Sequence, residues 1–270
     1  MTKQDIDIIK EQRRYFLSAF YHKRGLNNYK NLAESFKKVI KFDDQFNEYL
    51  EKIEKKEPFF YNRYNDGEWM DVFGLNRNNY YLHARVQKQS DEFIEALNGY
   101  KYDNFIMALQ PDAYIKMGDR IDNFLKEKQL DINWVNSDLF AYASMVGSLN
   151  PFVQLLRKNN VVFIAPYYFR NMYLMFRYNR LITTPMTNCY NAKETVKKMI
   201  IDYHEQNKND FTLYLFSACT LSKVLIYELY PVLKGNIVMD MGSLWDVYAG
   251  FKTRFYHHNI PVDIIQKNIK

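Results

Sequence analysis

The sequence predicts an α/β protein: one domain on a mostly parallel sheet with helices on both faces, preceded by a helical amino-terminal extension. Two observations predict it. Short apolar runs alternate with stretches of helical periodicity along most of the chain, which is the pattern of parallel βαβ units covered on both sides. No Ser/Gly/Pro-rich linker or internal repeat divides the 270 residues, a length that suits one large core.

Three helices are expected before the first strand, at Lys3–Phe20, Tyr29–Ile40 and Asp43–Lys56; in the third, Phe46, Leu50 and Ile53 recur at helical spacing. Residues 1–57 therefore read as a helical extension packed on the domain formed by 58–270. The apolar run Phe59–Tyr61 reads as a strand, and Trp69, Val72 and Phe73 then fall at helical spacing. Ser90–Leu97 is expected as a helix with Phe93, Ile94 and Leu97 inward, and Phe105–Leu109 as a strand ended by Gln110-Pro111. Further strands are expected at Ile132–Val135, Val161–Ala165, Leu181–Thr184, Phe211–Phe216 and Ile237–Met239. Helices are expected between them at Tyr114–Glu127, Leu139–Val146, Ala192–His204 and Leu221–Leu229.

Between the first strand and its helix lies a polar turn, Arg63-Tyr64-Asn65-Asp66-Gly67-Glu68. Ligands of α/β sheets bind outside the carboxyl ends of strands, where this turn falls. Two carboxylates this close can share a hard cation such as Mg²⁺ or Mn²⁺, and the arginine can hold a phosphate bidentately. Together they suggest a site for a metal-bound diphosphate. The same residues also fit a capping box, with Asn65 and Glu68 satisfying orphan N–H groups and Asp66 as a first-turn acid favoured by the helix dipole. On spacing alone capping is the simpler account. Gly67 pulls the other way: a glycine in a first helical turn costs up to about 1 kcal/mol against alanine and suits a backbone that a ligand approaches.

With 47% hydrophobic and 17% aromatic residues the chain is expected to fold. No apolar run is long enough to span a bilayer, and the start MTKQDIDIIKEQRRYF lacks the apolar core of a secretory signal. Cys189 and Cys219 are the only cysteines and lack metal-ligand spacing, which argues against a disulfide framework or a zinc site. A cytoplasmic location is the expectation. The net charge is +6 and the pI about 9.0, yet the positive residues are interleaved with acids, as in EKIEKKE at 51–57. That favours a solvated charged surface over nucleic-acid binding. The chain has no G-x-G-x-x-G after a strand, no P-loop and no G-x-S-x-G elbow, which removes the dinucleotide, P-loop and α/β-hydrolase readings.

The segment RYNDGEW at 63–69 resembles the R-[FY]-x-D-G-E signature of the GT-D type glycosyltransferases. A second stretch resembles that family's carboxyl-terminal pattern: Phe216-Ser217-Ala218-Cys219 through Leu225 and Tyr230, then IVMDMGSLWD at 237–246. There a strand and a small-residue turn lead into a helix, followed by a D-[IV]-G-[SH] strand end. The resemblance spans roughly residues 58–258. It implies a Rossmann-like fold and a metal-dependent glycosyltransferase that moves a sugar from a nucleotide-sugar donor, UDP-linked by preference, to a glycan or glycoconjugate hydroxyl. Asp66 and Glu68 match the family's D-x-E positions, associated with the metal and the sugar nucleotide, so Mn²⁺ or Mg²⁺ is the implied cofactor. The chain departs from the pattern at Asn65, commonly glycine, and at Ser217-Ala218-Cys219, often a glycine-containing turn. Both carboxylates are kept.

The expected donor site comprises Arg63, Asn65, Asp66 and Gly67 with Ser217, Thr220 and Arg254. Small residues at Ser217–Thr220 let backbone N–H groups approach phosphate at a helix start; a plain Ser/Thr cap is the alternative. Lys223, one turn further on, either reaches a phosphate or faces solvent. Asp240 and Asp246 are the candidate general bases, with Asp246 preferred because it lies farther into the loop. Their alternatives are loop N–H binding for Asp240 and helix capping for Asp246. One of His257 and His258 is a candidate to complete the site, but adjacent residues on a strand face opposite ways, so surface exposure is the default. Asn188, Tyr190 and Asn191 are candidates for base or sugar contacts, with a helix cap as the alternative for Asn191. Tyr167-Tyr168-Phe169-Arg170 offers aromatic surface for an acceptor glycan, shared with core packing. The rival functions are a metal-dependent phosphohydrolase of nucleotide diphosphates and a non-enzymatic binding module.

Overall fold

The computed structural model describes residues 42–75 and 87–270. The helices expected at Lys3–Phe20 and Tyr29–Ile40 lie outside the described residues. The third is present as α1 (Phe42–Glu54), which turns Phe46, Tyr49 and Ile53 inward.

Seven parallel strands follow: β1 (Phe59–Tyr64), β2 (Phe105–Leu109), β3 (Val135–Asn136), β4 (Asn160–Pro166), β5 (Arg180–Thr184), β6 (Thr212–Phe216) and β7 (Ile237–Asp240). They lie in the order β3-β2-β1-β7-β6-β4-β5, so the strand that comes last in sequence is the middle of the sheet. Neighbouring side chains of a strand enter opposite layers. Phe60, Tyr64, Tyr214, Phe216 and Val238 join one core, and Tyr61, Leu213, Leu215, Ile237 and Met239 join the other. The first layer is covered by α2 (Asp66–Val72), α4 (Pro111–Glu127), α7 (Lys193–Gln206), α8 (Leu221–Glu228) and the short α9 (Tyr230–Leu233), while α3 (Gln87–Ala96) packs on α2 and α8. The second is covered by α1, α5 (Leu139–Val146) and α6 (Asn150–Lys158). Each fully buried aliphatic or aromatic side chain contributes about 1.5–3 kcal/mol of transfer free energy, so burial on both faces fixes the strands from either side. The carboxyl-terminal helix α10 (Val262–Ile269) packs on α5 and α6. Among the described residues no single helix is long and apolar enough to cross a membrane.

The observed elements depart from expectation at a few places. The strand expected at Ile132–Val135 shrinks to Val135–Asn136, because only the end of β2 offers it a ladder, at Ala108 and Leu109. Ile132 and Trp134 are apolar for another reason: both are buried, with Trp134 against Tyr64 and Trp69. Helix α4 starts at Pro111, where a missing N–H costs nothing at the first helical position. Helices α6 and α10 and the 3₁₀ segment Tyr167–Leu174 were not expected; α6 carries Pro151 at its second position and buries Phe152, Val153 and Leu156.

Candidate functional site

The carboxyl ends of four neighbouring strands, β1, β7, β6 and β4, supply the site. At its base is a buried charge cluster. Lys223 Nζ, on the first turn of α8, lies 2.8 Å from Asp240 Oδ2 at the end of β7 and 3.5 Å from Glu68 Oε1 on α2. The three side chains are 3%, 0% and 6% exposed. Lys223 is thus neither a solvent-facing lysine nor one free to leave for a phosphate. Burial pulls its pKa down, but Asp240 and then Glu68 outweigh that and hold it above the usual lysine value. Asp240 Oδ1 accepts a hydrogen bond from Gly242 N at 3.0 Å, the loop-binding role named as its alternative.

Arg63 stands beside this cluster. Burial lowers its pKa and the carboxylates of Asp240 and Asp138 more than compensate, so it stays cationic. Gly242, at φ +54°, packs on the guanidinium so closely that a Cβ there would sit 2.5 Å from Arg63 Nη1. Arg63 Nε is buried with no hydrogen-bond partner, as is Ser217 Oγ at the end of β6. Leaving such a group unpaired costs about 1–3 kcal/mol, which an anionic oxygen beside it would recover. The turn after Ser217 is strained at Cys219, whose φ is +51°, a conformation costing an L residue about 1–2 kcal/mol. Thr220 occupies the N-cap position of α8 but makes no cap bond. Ser222 Oγ instead accepts from Ala218 N at 3.1 Å, and Cys189 Sγ donates to Ala218 O at 3.2 Å. The last bond places the Asn188–Asn191 segment beside this turn. Asn191 does not cap α7, whose N-cap is Ala192.

The two carboxylates of the D-x-E pair diverge. Two residues on a helix are about 200° apart around its axis, and the side chains differ accordingly. Glu68 is buried, and its Oε2 accepts from Asn65 N at 2.8 Å, the reciprocal arm of a capping box. Asp66 is 31% exposed and lies 3.3 Å from Lys116 Nζ. Asn65 Oδ1 accepts from Ser137 Oγ at 3.1 Å, Asp66 N donates to Gln110 Oε1 at 3.3 Å, and Gly67 is buried in the first turn of α2. Among the described residues no three His, Cys, Asp or Glu side chains converge as a metal cage. Asp66 is the D-x-E carboxylate open to solvent, and its Lys116 partner is shared with Asp112; Mg²⁺ bound beside phosphates commonly takes only one or two carboxylates.

The loop after β7 carries Asp246. Trp245 anchors it against Phe152 and Phe176, with ring centroids 6.0 and 4.9 Å away. Asp246 is buried: Tyr168 OH donates to Oδ1 at 3.2 Å, and Thr253 Oγ1 donates to Oδ2. Burial raises the Asp246 pKa against the pull of those two bonds and of Arg254. It occupies the N-cap position of the 3₁₀ turn Val247–Ala249, yet its carboxylate makes no cap bond. Arg254 Nε donates to Ser243 Oγ at 3.3 Å, so this exposed arginine joins the same loop. The expected exposure of the histidines is half right. They lie on a 3₁₀ turn, Phe255–Asn259, and not on a strand. His258 is exposed, but His257 is fully buried, its Nδ1 accepting from Arg254 N at 3.2 Å, and burial first, then Arg254 and His258, lower its pKa to about 4. The aromatic segment divides its labour: Phe169 is core, Tyr168 orients Asp246, and Tyr167 is 62% exposed under the Arg170 guanidinium.

The supporting residues Asp138, Ser137 and Thr253 had no sequence signal, since each acts through a partner brought near by folding. The proline start of α4 could have placed Lys116 one turn from the site. No family model matches the chain, and no curated protein matches it. A solved structure is similar to it: the highly conserved domain of unknown function 1792, described as having a distinct glycosyltransferase fold. The two superpose with a TM-score of 0.53 at 17% sequence identity, covering 82% of this chain and 83% of that one. The chain therefore has a glycosyltransferase-like, Rossmann-like parallel-sheet fold.

Proposed function

We propose that the protein is a glycosyltransferase that binds a nucleotide-sugar donor over the ends of β1, β7 and β6. The observation that carries this reading is the pair of unpartnered buried groups, Arg63 Nε on β1 and Ser217 Oγ just past β6, on the two strands that flank β7 in a sheet of this fold class. Arg63 and the turn after β6 hold the donor diphosphate, and their fixed charges and dipoles stabilise the negative charge that grows on it as the anomeric bond lengthens. Lys223 pairs with Asp240 and Glu68 at the base of the site without entering the reaction. Asp240, pinned between Lys223 and Gly242, is then a positioning residue for Arg63. Asp246 is the general base: Tyr168 and Thr253 orient it, and it takes the proton of the attacking acceptor hydroxyl. Its raised pKa brings it closer to the working range of a base. Mn²⁺ or Mg²⁺, held at Asp66, would supply Lewis-acid neutralisation of the diphosphate. The D-x-E pair thus splits into a half-buried acid for the cation and a buried acid that builds the turn. UDP is the base-bearing leaving group to test first.

Thermal unfolding with UDP, GDP and CDP, each with and without Mn²⁺, tests the donor site. A nucleotide at about 100 times its Kd adds about 2.7 kcal/mol to stability. One nucleotide is expected to raise the midpoint in a Mn²⁺-dependent way in the wild type, and Asp66→Asn is expected to lose the Mn²⁺ dependence. Absence of any shift with all three would defeat the donor-site reading. Product formation that requires an acceptor then separates transfer from simple hydrolysis of the donor.

A further inference from the structure

We infer that the 3₁₀ segment Tyr167–Leu174 and its arginine rim dock the protein on an anionic lipid bilayer. Between Asp138 and Glu194 the sequence has no acidic residue, while Arg157, Lys158, Arg170, Arg177, Arg180 and Lys193 all fall within that stretch. Lys193 is buried and ion-paired to Glu92 and Glu228, but Arg157, Arg170 and Arg177 lie with the exposed side chains of the 3₁₀ segment. Leu174 is 86% exposed, Tyr167 62% and Tyr173 49%. Arg170 lies over the Tyr167 ring at 4.8 Å and its carbonyl accepts from Tyr178 OH at 2.7 Å, while the Tyr178 ring meets Tyr173 at 5.4 Å. Tyr173, Leu174 and Arg177 line one shallow depression with Arg157 and Met175.

A single exposed leucine is ordinary on a folded surface; what distinguishes this one is its company of exposed tyrosines and arginines. The combination fits a bilayer: Tyr rings settle at the headgroup level, a leucine enters the acyl boundary, and arginines meet anionic headgroups. Weak apolar insertion joined to a cationic rim is the two-signal arrangement that membrane attachment needs. The positive charge of Arg157, Arg170 and Arg177 around Leu174 favours this occupant over a neutral glycan or a second, equally positive copy of the same patch. The segment also reaches the candidate site. Tyr168, between the exposed residues, holds Asp246, and its ring packs on Phe251 at 4.7 Å. Docking would bring the candidate base to the membrane surface, yet the surface argument stands whether or not the protein transfers sugars.

Flotation of the full chain with vesicles tests this. The protein is expected to float with phosphatidylcholine–phosphatidylglycerol vesicles, to stay behind with pure phosphatidylcholine, and to be released by salt. Arg170→Gln with Arg177→Gln is expected to weaken binding about 25-fold, at about 1 kcal/mol per charge. Leu174→Ser is expected to weaken it about tenfold, with Tyr173→Ser as the second apolar variant should the first unfold at lower temperature than the wild type. Failure of the wild type to float with anionic vesicles, equal binding to neutral ones, or undiminished binding by the folded variants would overturn the proposal. So would a wild-type dimer that Leu174→Ser dissociates, because the patch would then belong to a second copy.

Discussion

Lys223 decides more of this molecule than any other single residue. Asp240 and Glu68 are both removed from water, and the lysine between them is the cation the geometry gives them. Removing one partner of a buried ion pair costs about 3–5 kcal/mol, because the other charge is left uncompensated. Lys223→Met is therefore expected to lower the unfolding free energy in urea by about that amount at neutral pH. A loss under about 1 kcal/mol, the value of exposed pairs, would show that the cluster is solvated. The sign of the pH dependence follows from the raised pKa. A lysine whose folded pKa exceeds its unfolded value contributes fully below the unfolded value, about 10.5. Its contribution fades as pH rises through the folded value. The gap between wild type and Lys223→Met should accordingly hold across neutral pH and narrow only at strongly alkaline pH.

The turn after β7 shows how an element is shaped by what it must avoid. Gly242 combines φ +54° with an Arg63 Nη1 atom 2.5 Å from where a Cβ would be. Gly242→Ala is expected to cost about 1–2 kcal/mol from the left-handed backbone, plus the displacement of the arginine. Urea unfolding of Gly242→Ala, Arg63→Ala and the double variant separates the two parts. The steric part should vanish without Arg63; full additivity would mean that glycine and guanidinium do not meet. Such a contact is illegible in sequence, as are the partners of Lys223, because residues distant along the chain create them. Elements set by local pattern were legible: Phe105–Leu109 and Leu139–Val146 fall where expected. The miss at α6 was avoidable, since Asn150-Pro151 is a helix-start signal. The misjudged length of β3 was not, because Ile132 and Trp134 are apolar for packing and the ladder ends with β2. The positive stretch after Asp138 was present in the sequence but was averaged away by the interleaved charges elsewhere.

At the scale of the whole molecule, the sheet is clamped by layers of unequal continuity, and the carboxyl terminus closes the thinner one. A small apolar cluster of Ala141, Met145, Val247 and Ile260 joins α5 to the loop that carries Asp246. Helix α10 seals it through Asn268, which is fully buried. Its Nδ2 donates to Ser144 O at 2.6 Å and to Tyr248 OH at 3.0 Å, while its Oδ1 accepts from Leu149 N at 3.0 Å. One side chain thereby satisfies the end of α5, the start of α6 and the turn two residues past Asp246. Asn268→Ala would strand Ser144 O and Leu149 N, each at about 1–3 kcal/mol. Because α6 is part of the second core layer, the loss should appear as a lower midpoint of one cooperative unfolding transition, followed in parallel by far-ultraviolet circular dichroism and tryptophan emission. Were α10 an independent appendage, the main transition would stay where it is and a separate low-stability step would precede it. A shifted single transition would instead mean that the last turn of the chain holds the loop of the candidate base in register with the sheet, so that site and fold lose order together.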